Sequence, residues 1–503
     1  MKELAAFLLP PAVAFCGARI CRILFGSQFD SRFGAGLRWT LGLAVGMLVF
    51  TQTALLGALA GVNAATPLAR LALVWGLVEM ILQAPRAVAR LRQFRFQTQH
   101  LWLLLLLPVL CWCWVFARLS TLEGTMELDA NAFWVFKAKV LYLDQGRNLL
   151  FWMHQPSLAY AHWEYPLLVP GLYLLDYGAV GGVDEFVNKV WPFWMVVALC
   201  IGILSLTKTW QRPHPLPVLA VVVLCFLPAT LDYVRQEGGT IPMVFFASLT
   251  AMLLVKAITQ ADEWYLAAAI LTATGAMMAK FEGIIYIGFW FCALLPICRQ
   301  RGWLKKSILW RNALASVICV LPYVWYRLEK PIQHPEAHWW REGLATAGAT
   351  LHHFPQVLFL NIGSRFFNGD FFRWQPGSQG HLDWTGQWAG FGSLVNEQLT
   401  LLPWLLLILV LVALWQKRSR PATASLSAVV IGVFVMLALT LSCLPYIQND
   451  PAMLIHYSGP DEVGRYSYPF FTAWFLGMMT IWLDTWSAKP SSVEPANHHD
   501  STK

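Results

Sequence analysis

Residues 121–146 read TLEGTMELDANAFWVFKAKVLYLDQG, and residues 162–170 continue with HWEYPLLVP. Both lie in one polar segment between two long apolar regions of the chain. The segment gathers acids, lysines and aromatic side chains: Glu123, Glu127, Asp129, Lys137, Lys139, Glu164, Trp134, Trp163 and Tyr165. Most connections between helices are short, so a connection this long and this polar points to a function. Acids, cations and aromatic rings held at a bilayer surface are typical of chemistry on a lipid headgroup.

The composition of the whole chain predicts a membrane protein. Of its 503 residues, 57% are hydrophobic and 13% are charged, and the mean hydropathy is +0.52. A soluble protein carries about 25% charged residues. The net charge of +8 does not indicate nucleic-acid binding, because the cations form short clusters between apolar runs, as topology determinants do.

The apolar runs predict an all-α polytopic protein with about 13 spanning helices, since one span needs about 20 apolar residues. The predicted spans are 4–25, 38–61, 67–84, 101–118, 189–207, 215–233, 240–258, 264–279, 283–298, 308–326, 400–415, 425–446 and 468–486. They give N-terminal helices over 1–100 and a core over 101–326 that includes the outer loop 119–188. A second outer loop, 327–399, is followed by C-terminal helices over 400–486 and a disordered cytoplasmic tail over 487–503.

The positions of lysine and arginine predict the orientation. Four basic clusters mark the cytoplasmic side: 86–95, 208–212, 299–306 and 417–420. They share one side only if residues 165–181 do not cross the bilayer. That segment contains two prolines and an aspartate, so we expect a re-entrant or juxtamembrane helix on the outer face. The amino end then lies outside, and the polar segments 119–188, 327–399 and 447–467 share the outer face.

Asp129 has two interpretations. It directly precedes the helical pattern AFWVFKAKVLYL, and aspartate is a favoured helix N-cap. A carboxylate near other acids and close to a low-dielectric surface also tends to have a raised proton affinity, as a general base requires. Both roles are compatible with one residue. Glu127, two residues earlier, is a further candidate for the same pocket.

Helical spacing places Trp134, Lys137 and Leu141 on one face. The simpler interpretation is an interfacial helix with snorkelling lysines, and the functional one is a lysine beside an anionic headgroup. In HWEYP, Tyr165 precedes proline and is expected to be extended. A helix beginning at Pro166 would leave Glu164 just before its N-terminus, where it is either a solvated loop acid or a functional residue.

Three further charged segments border predicted spans. Lys280-Phe-Glu282 interrupts a long apolar stretch, where charge is costly and indicates function, although a simple helix–helix turn is the alternative. Arg235 and Glu237 form either an exposed ion pair or a part of the same pocket. Arg465 lies before the last span, and arginine suits bidentate phosphate contact, although it could equally be an interfacial arginine.

The order of these motifs resembles a known family. An acid follows an outward helix, then come Trp-x-x-Lys-Ala-Lys, acid-Tyr-Pro-Leu-Leu-x-Pro, an acidic outer turn, Ala-Lys-x-Glu-Gly and a late arginine. This order is similar to that of the GT-C class of membrane glycosyltransferases, in particular the bacterial relatives of protein O-mannosyltransferases and of the lipid A aminoarabinose transferase. The resemblance covers residues 101–300 and, more weakly, 446–486. Residues 1–100 have no counterpart in it.

The resemblance implies transfer of a sugar from a polyprenyl-phosphate donor to an acceptor hydroxyl, typically with inversion, on the periplasmic face of a bacterial inner membrane. It implies Asp129 as the base, and it matches Glu164 to the acidic position before Tyr-Pro and Lys280 to the lysine of a Thr-Lys-Gly or Lys-x-Glu-Gly turn. Two departures are a glutamate at position 164, where relatives often have aspartate, and an unusual turn around Glu237. Divalent metals prefer carboxylate oxygens, so a metal is compatible with these acids, but the sequence demands none.

Other functions remain open from the sequence alone. A secondary transporter would place ionisable groups near the bilayer midplane in paired repeats, whereas these polar groups gather at one face. A lipid-glycan ligase or a non-catalytic scaffold would fit an arginine-bearing outer loop, and 327–399 carries Arg341, Arg365 and Arg373. The acceptor under the main hypothesis is a glycan, a lipid or a protein.

Overall fold

The fold over the described residues is helical and contains no strand. The computed structural model describes residues 2–93, 98–122, 130–209, 214–236, 238–280, 282–332 and 460–487. Its α-helices are α1 Lys2–Phe25, α2 Phe29–Arg32, α3 Ala35–Leu59, α4 Ala65–Gln93, α5 Leu107–Leu122, α6 Phe136–Leu143, α7 Leu149–Met153, α8 Leu168–Val180, α9 Val190–Leu206, α10 Pro215–Phe226, α11 Pro228–Arg235, α12 Thr240–Gln260, α13 Glu263–Ala279, α14 Glu282–Gln300, α15 Ser307–Leu328 and α16 Pro460–Ser487. A π-helical segment, Ala130–Val135, leads into α6.

The structure confirms the predicted class of all-α polytopic membrane protein. Among the described residues, 7 helices are long and apolar enough to cross a membrane. Each predicted span from 4–25 to 308–326, and the span at 468–486, falls on helical structure. The predicted spans 400–415 and 425–446, the outer loop 327–399 beyond residue 332, and the tail from residue 488 lie outside the described residues.

One predicted span is broken. We expected a single helix over 215–233, but α10 ends at Phe226 and α11 begins at Pro228. Leu227 between them has ψ 125°, which is not helical. The cause is local, because the ring of a proline disfavours the helical conformation of the residue before it. The break separates α10 from the short helix α11, whose last residue is Arg235.

The N-terminal helices are tightly joined to the rest of the bundle. Glycines allow α1 and α3 to approach closely: a Cβ at Gly17 would lie 1.9 Å from the carbonyl oxygen of Gly42. A Cβ at Gly171 would lie 3.0 Å from Thr51 Cβ, so α8 packs directly on α3. Small residues at such crossings are typical of membrane helix packing. Helices α1 and α3 therefore support α8 and, through it, the segment that precedes α8.

The segment 165–181 forms α8, which has 13 residues and is buried along almost its whole length. A helix of this length is too short to span a bilayer of about 30 Å, in agreement with the predicted re-entrant or juxtamembrane element. The helix begins at Leu168 rather than at Pro166, because Leu167 still has a non-helical ψ of 19°.

The helix α16 is fixed to α12 by an ion pair between a buried lysine and a partly buried aspartate. Lys256 Nζ lies 2.5 Å from Asp484 Oδ1, and Thr259 donates to Asp484 Oδ2 at 2.6 Å. Lys256 is buried, and removing one partner of a buried pair is destabilising. This contact holds α16, which carries Arg465 in its first turns, against the core of the bundle.

Several loop ends meet at one end of the bundle. Gly61, between α3 and α4, lies against the carbonyl of Arg147. Beyond α15, Ile332 donates to the carbonyl of Met153 at 3.0 Å, and His154 Nε2 lies 2.7 Å from the carbonyl oxygen of Glu329. Three of the loop ends that the sequence assigns to the outer face, near residues 61, 147–154 and 329–332, thus lie together. Their side relative to the bilayer stays a prediction.

Candidate functional site

The centre of the site is Lys137, on the first turn of α6. Its side chain is completely buried (0% exposed), whereas a snorkelling lysine would reach solvent. Lys139, two residues on, is the partly exposed lysine and pairs with Glu185. The two lysines of the Lys-Ala-Lys motif therefore have different environments, and Lys137 is the one directed into the protein.

Lys137 is held by a carbonyl and three aromatic rings. Its Nζ donates to the carbonyl oxygen of His162 at 2.7 Å, and it lies 5.4, 5.9 and 5.9 Å from the ring centroids of Trp134, Trp163 and Tyr165. Cations are attracted to aromatic faces at these distances. Burial nevertheless lowers the pKa of Lys137 to about 7, and the negative charge of Glu164 opposes this shift.

This environment predicts a pH-dependent stability. Because the pKa of Lys137 is about 7 in the fold and roughly 10.4 in an unfolded chain, the unfolded state binds more protons between these values. Stability must then rise with pH across that window. We expect the thermal midpoint of the wild type in detergent to rise relative to that of Lys137→Met from about pH 7 to about pH 10.

The matched control for this measurement is Lys139→Met, which removes a lysine from the same helix. Its midpoint should follow that of the wild type in parallel across the same pH range. A constant difference between wild type and Lys137→Met at every pH would contradict the lowered pKa of Lys137.

Glu164 lies beside Lys137 and is also buried (4% exposed). Its Oε1 is 2.8 Å from His162 Nδ1, and its Oε2 has no hydrogen-bond partner in the described part of the chain. Burial acts to raise the pKa of Glu164, but the hydrogen bond from His162, a hydrogen bond from the backbone of Glu164 itself and the nearby charge of Lys137 outweigh it, so the pKa is lowered. The result is an ionised carboxylate with one oxygen fixed and the other uncommitted.

The backbone around Glu164 is fixed by the end of α15. Tyr323 Oη and Arg327 Nη1 donate to the carbonyl oxygen of Glu164 at 3.1 and 2.9 Å, and Tyr326 Oη donates to that of Trp163. The sequence did not single out these three residues. Their spacing of i, i+3 and i+4 near the carboxyl end of α15 was the available signal, because it places three donors on one face.

Lys280 approaches the same aromatic cluster from another part of the chain. It follows α13 in an extended conformation. A Cβ at Gly239 would lie 2.9 Å from Lys280 Cγ and 3.4 Å from the ring of Trp134. Trp134 in turn stacks on Tyr165 at 6.1 Å. The structure therefore brings Glu164, Tyr165, Lys137 and Lys280 around Trp134.

The remaining candidates are placed less completely. Arg235 is half-buried at the end of α11, four residues before Gly239. The backbones of Glu282 and Arg465 lie in α14 and α16, and their side chains lie outside the described part of the structure. Asp129, Glu127 and Glu237 lie outside it altogether. Within the described ranges, no group of three or more His, Cys, Asp or Glu side chains is arranged to hold a metal ion.

Comparison with known proteins adds one finding to this geometry. Residues 178–326 match the family model for dolichyl-phosphate-mannose-protein mannosyltransferase. The matched segment contains Arg235, Lys280 and Tyr323, but not Glu164 or Lys137. The match confirms the predicted resemblance and supports a membrane glycosyltransferase of the GT-C type. Comparisons of the chain with curated proteins and with solved structures gave no match.

Proposed function

We propose that this protein transfers a sugar from a polyprenyl-phosphate-linked donor to an acceptor hydroxyl, with inversion, at the periplasmic face of a bacterial inner membrane. The strongest support is that Glu164, Lys137 and Lys280 lie around Trp134 at one end of a membrane bundle. Glu164 is ionised there, and one of its two carboxylate oxygens has no partner in the described part of the chain. Part of this group lies within the segment that matches the mannosyltransferase family.

The reaction defines what the residues must do. The acceptor oxygen attacks the anomeric carbon, the bond from that carbon to the phosphate oxygen breaks, and its electron pair leaves with the lipid phosphate. Asp129 takes the proton of the acceptor hydroxyl as the general base. A single displacement of this kind inverts the anomeric centre.

The leaving phosphate needs cations. Lys280 provides one beside the aromatic cluster, and Arg235 and Arg465 are the further candidates. Preorganised charge aimed at a leaving group is generally among the largest contributions to catalysis. Arginine adds planar, bidentate contact with phosphate oxygens, which a lysine does not provide.

Glu164 is the second carboxylate of the site. Its Oε1 is committed to His162, so Oε2 is the oxygen that accepts a hydrogen bond from a sugar or acceptor hydroxyl. Trp134 and Tyr165 offer aromatic faces beside it. The polyprenyl tail would lie along the apolar helices, which presents the sugar at the level of these groups.

The direct test is reconstitution of the purified protein in liposomes with a panel of labelled polyprenyl-phosphate sugars. Glycolipid profiles of cells with and without the protein would supply the acceptor. A covalent glycosylated product that depends on the protein is the expected result. Sugar flux into the vesicles without any covalent product would instead indicate a transporter, and the transferase proposal would be abandoned.

A further inference from the structure

His162 is held in one orientation by contacts on several sides. Its ring stacks on Tyr165 at 5.0 Å with an angle of 12° between the planes, and it meets Phe133 edge-on at 4.5 Å. Its carbonyl oxygen accepts hydrogen bonds from Lys137 Nζ at 2.7 Å and from the backbone of Tyr165 at 3.1 Å. The imidazole of His162 thus has little freedom to rotate.

The backbone of His162 is also unusual. Its φ of +50° lies in the left-handed region, which residues other than glycine adopt uncommonly. Such conformations persist where the surrounding structure enforces them, and they are frequent at functional sites. With this backbone conformation, the carbonyl of His162 contacts Lys137 and its ring nitrogen Nδ1 contacts Glu164.

The contact between His162 and Glu164 has a definite direction. An ionised carboxylate only accepts hydrogen bonds, so His162 Nδ1 must carry the proton that points to Glu164 Oε1 at 2.8 Å. This bond leaves Oε2 as the oxygen without a partner in the described part of the chain. A fixed ring therefore determines which carboxylate oxygen is committed and which remains available.

We infer that His162 is a positioning residue for Glu164: its Nδ1–H holds Oε1, so that Oε2 is presented to a hydroxyl of the sugar or of the acceptor. This inference rests on the proposed transferase function. His162 makes no bond to substrate in this role and acts only through the carboxylate. Positioning of this kind affects the rate of the chemical step in the bound complex, and hence kcat, more than it affects the affinity for the substrate.

Two substitutions at position 162, to asparagine and to glycine, test this inference. Asparagine and glycine both tolerate the left-handed conformation, and both retain the carbonyl that Lys137 needs. The Asn amide nitrogen stands close to where Nδ1 of histidine stands, whereas glycine has no donor. We expect His162→Asn to keep a kcat close to that of the wild type and His162→Gly to lower kcat by roughly tenfold to a hundredfold with little change in KM.

A third variant covers the case in which glycine disturbs folding. His162→Gln places its amide further out, near the position of Nε2, and should lose kcat as His162→Gly does. The test is then the difference in kcat between His162→Asn and His162→Gln. It requires that both variants elute as single species and have the thermal midpoint of the wild type. Equal kcat values in these two variants would overturn the inference.

A double-mutant cycle with Glu164→Gln separates positioning from general support of the fold. If His162 acts through Glu164, His162→Gly should add little further loss in the Glu164→Gln background. A full additional loss there would overturn the positioning role and leave the transferase proposal standing. A wild-type protein that transfers no sugar from any polyprenyl-phosphate donor would overturn the proposed function, and the inference with it.

Discussion

An Asp129→Asn variant is expected to enter the membrane and fold like the wild type but to transfer sugar roughly 10²–10⁴-fold more slowly, the usual contribution of a general base. Asparagine cannot accept the acceptor proton at neutral pH. It is nevertheless as good a helix N-cap as aspartate. The substitution therefore separates the two interpretations of Asp129, because it removes the base and keeps the cap.

The measurement is kcat for sugar transfer by the purified variant in liposomes, with thermal unfolding recorded on the same sample. Glu185→Gln is the matched control, because it removes a partly exposed carboxylate that pairs with Lys139 in the same polar segment, 119–188. Its kcat should remain close to that of the wild type. Unchanged activity of Asp129→Asn would exclude Asp129 as the base and leave the N-cap as its role.

The helices were predictable because each depends on a local property of the sequence. Apolar runs of about 20 residues give spans regardless of their neighbours. The mannosyltransferase match at residues 178–326 overlaps only the later part of the region 101–300 to which the motif order pointed, and the motifs around Lys137 and Glu164 lie before it. The break at Leu227 was also predictable in principle, since Pro228 determines it locally. Glu164 and Lys280 were selected as candidates because they carry charge beside or within apolar sequence, and their roles stay predictions.

The environment of these residues depends on distant parts of the chain and was not predictable. Whether Lys137 snorkels or is buried depends on three aromatic rings that fold over it. The backbone of Glu164 depends on Tyr323 and Arg327, which lie about 160 residues further on. Spacing within a single helix contains no information on such contacts. The role of residues 1–100 likewise emerged only from their close packing with α8.

The burial of Lys137 has a consequence for catalysis as well as for stability. Lys137 is fully buried, its Nζ already donates to the carbonyl oxygen of His162, and three aromatic rings surround it, so it is poorly placed to contact a phosphate. Lys280, which lies beside the turn at Gly239, is therefore the better candidate for the leaving group. Under the proposed function, the two lysines around Trp134 would have separate roles: Lys137 would hold the carbonyl of His162, and Lys280 would contact the phosphate of the donor.

Lys280→Met is expected to lower kcat by roughly 10²–10³-fold, comparable to the loss of one preorganised donor at a developing negative charge. Methionine keeps an unbranched stem in the narrow space beside Gly239 but carries no charge. Lys280→Arg should recover part of the rate, because it restores the charge, although the close approach of Gly239 and Trp134 leaves little room for a guanidinium.

The control for Lys280 is Lys139→Met, which removes a cation from the same end of the bundle without approaching Trp134. Its kcat should match that of the wild type. If Lys280 only completes the turn between α13 and α14, then Lys280→Met would melt earlier yet retain its kcat in the folded fraction. That result would remove Lys280 from the donor site and shift the phosphate contact to Arg235 and Arg465, whose alanine variants would then have to show the loss of rate.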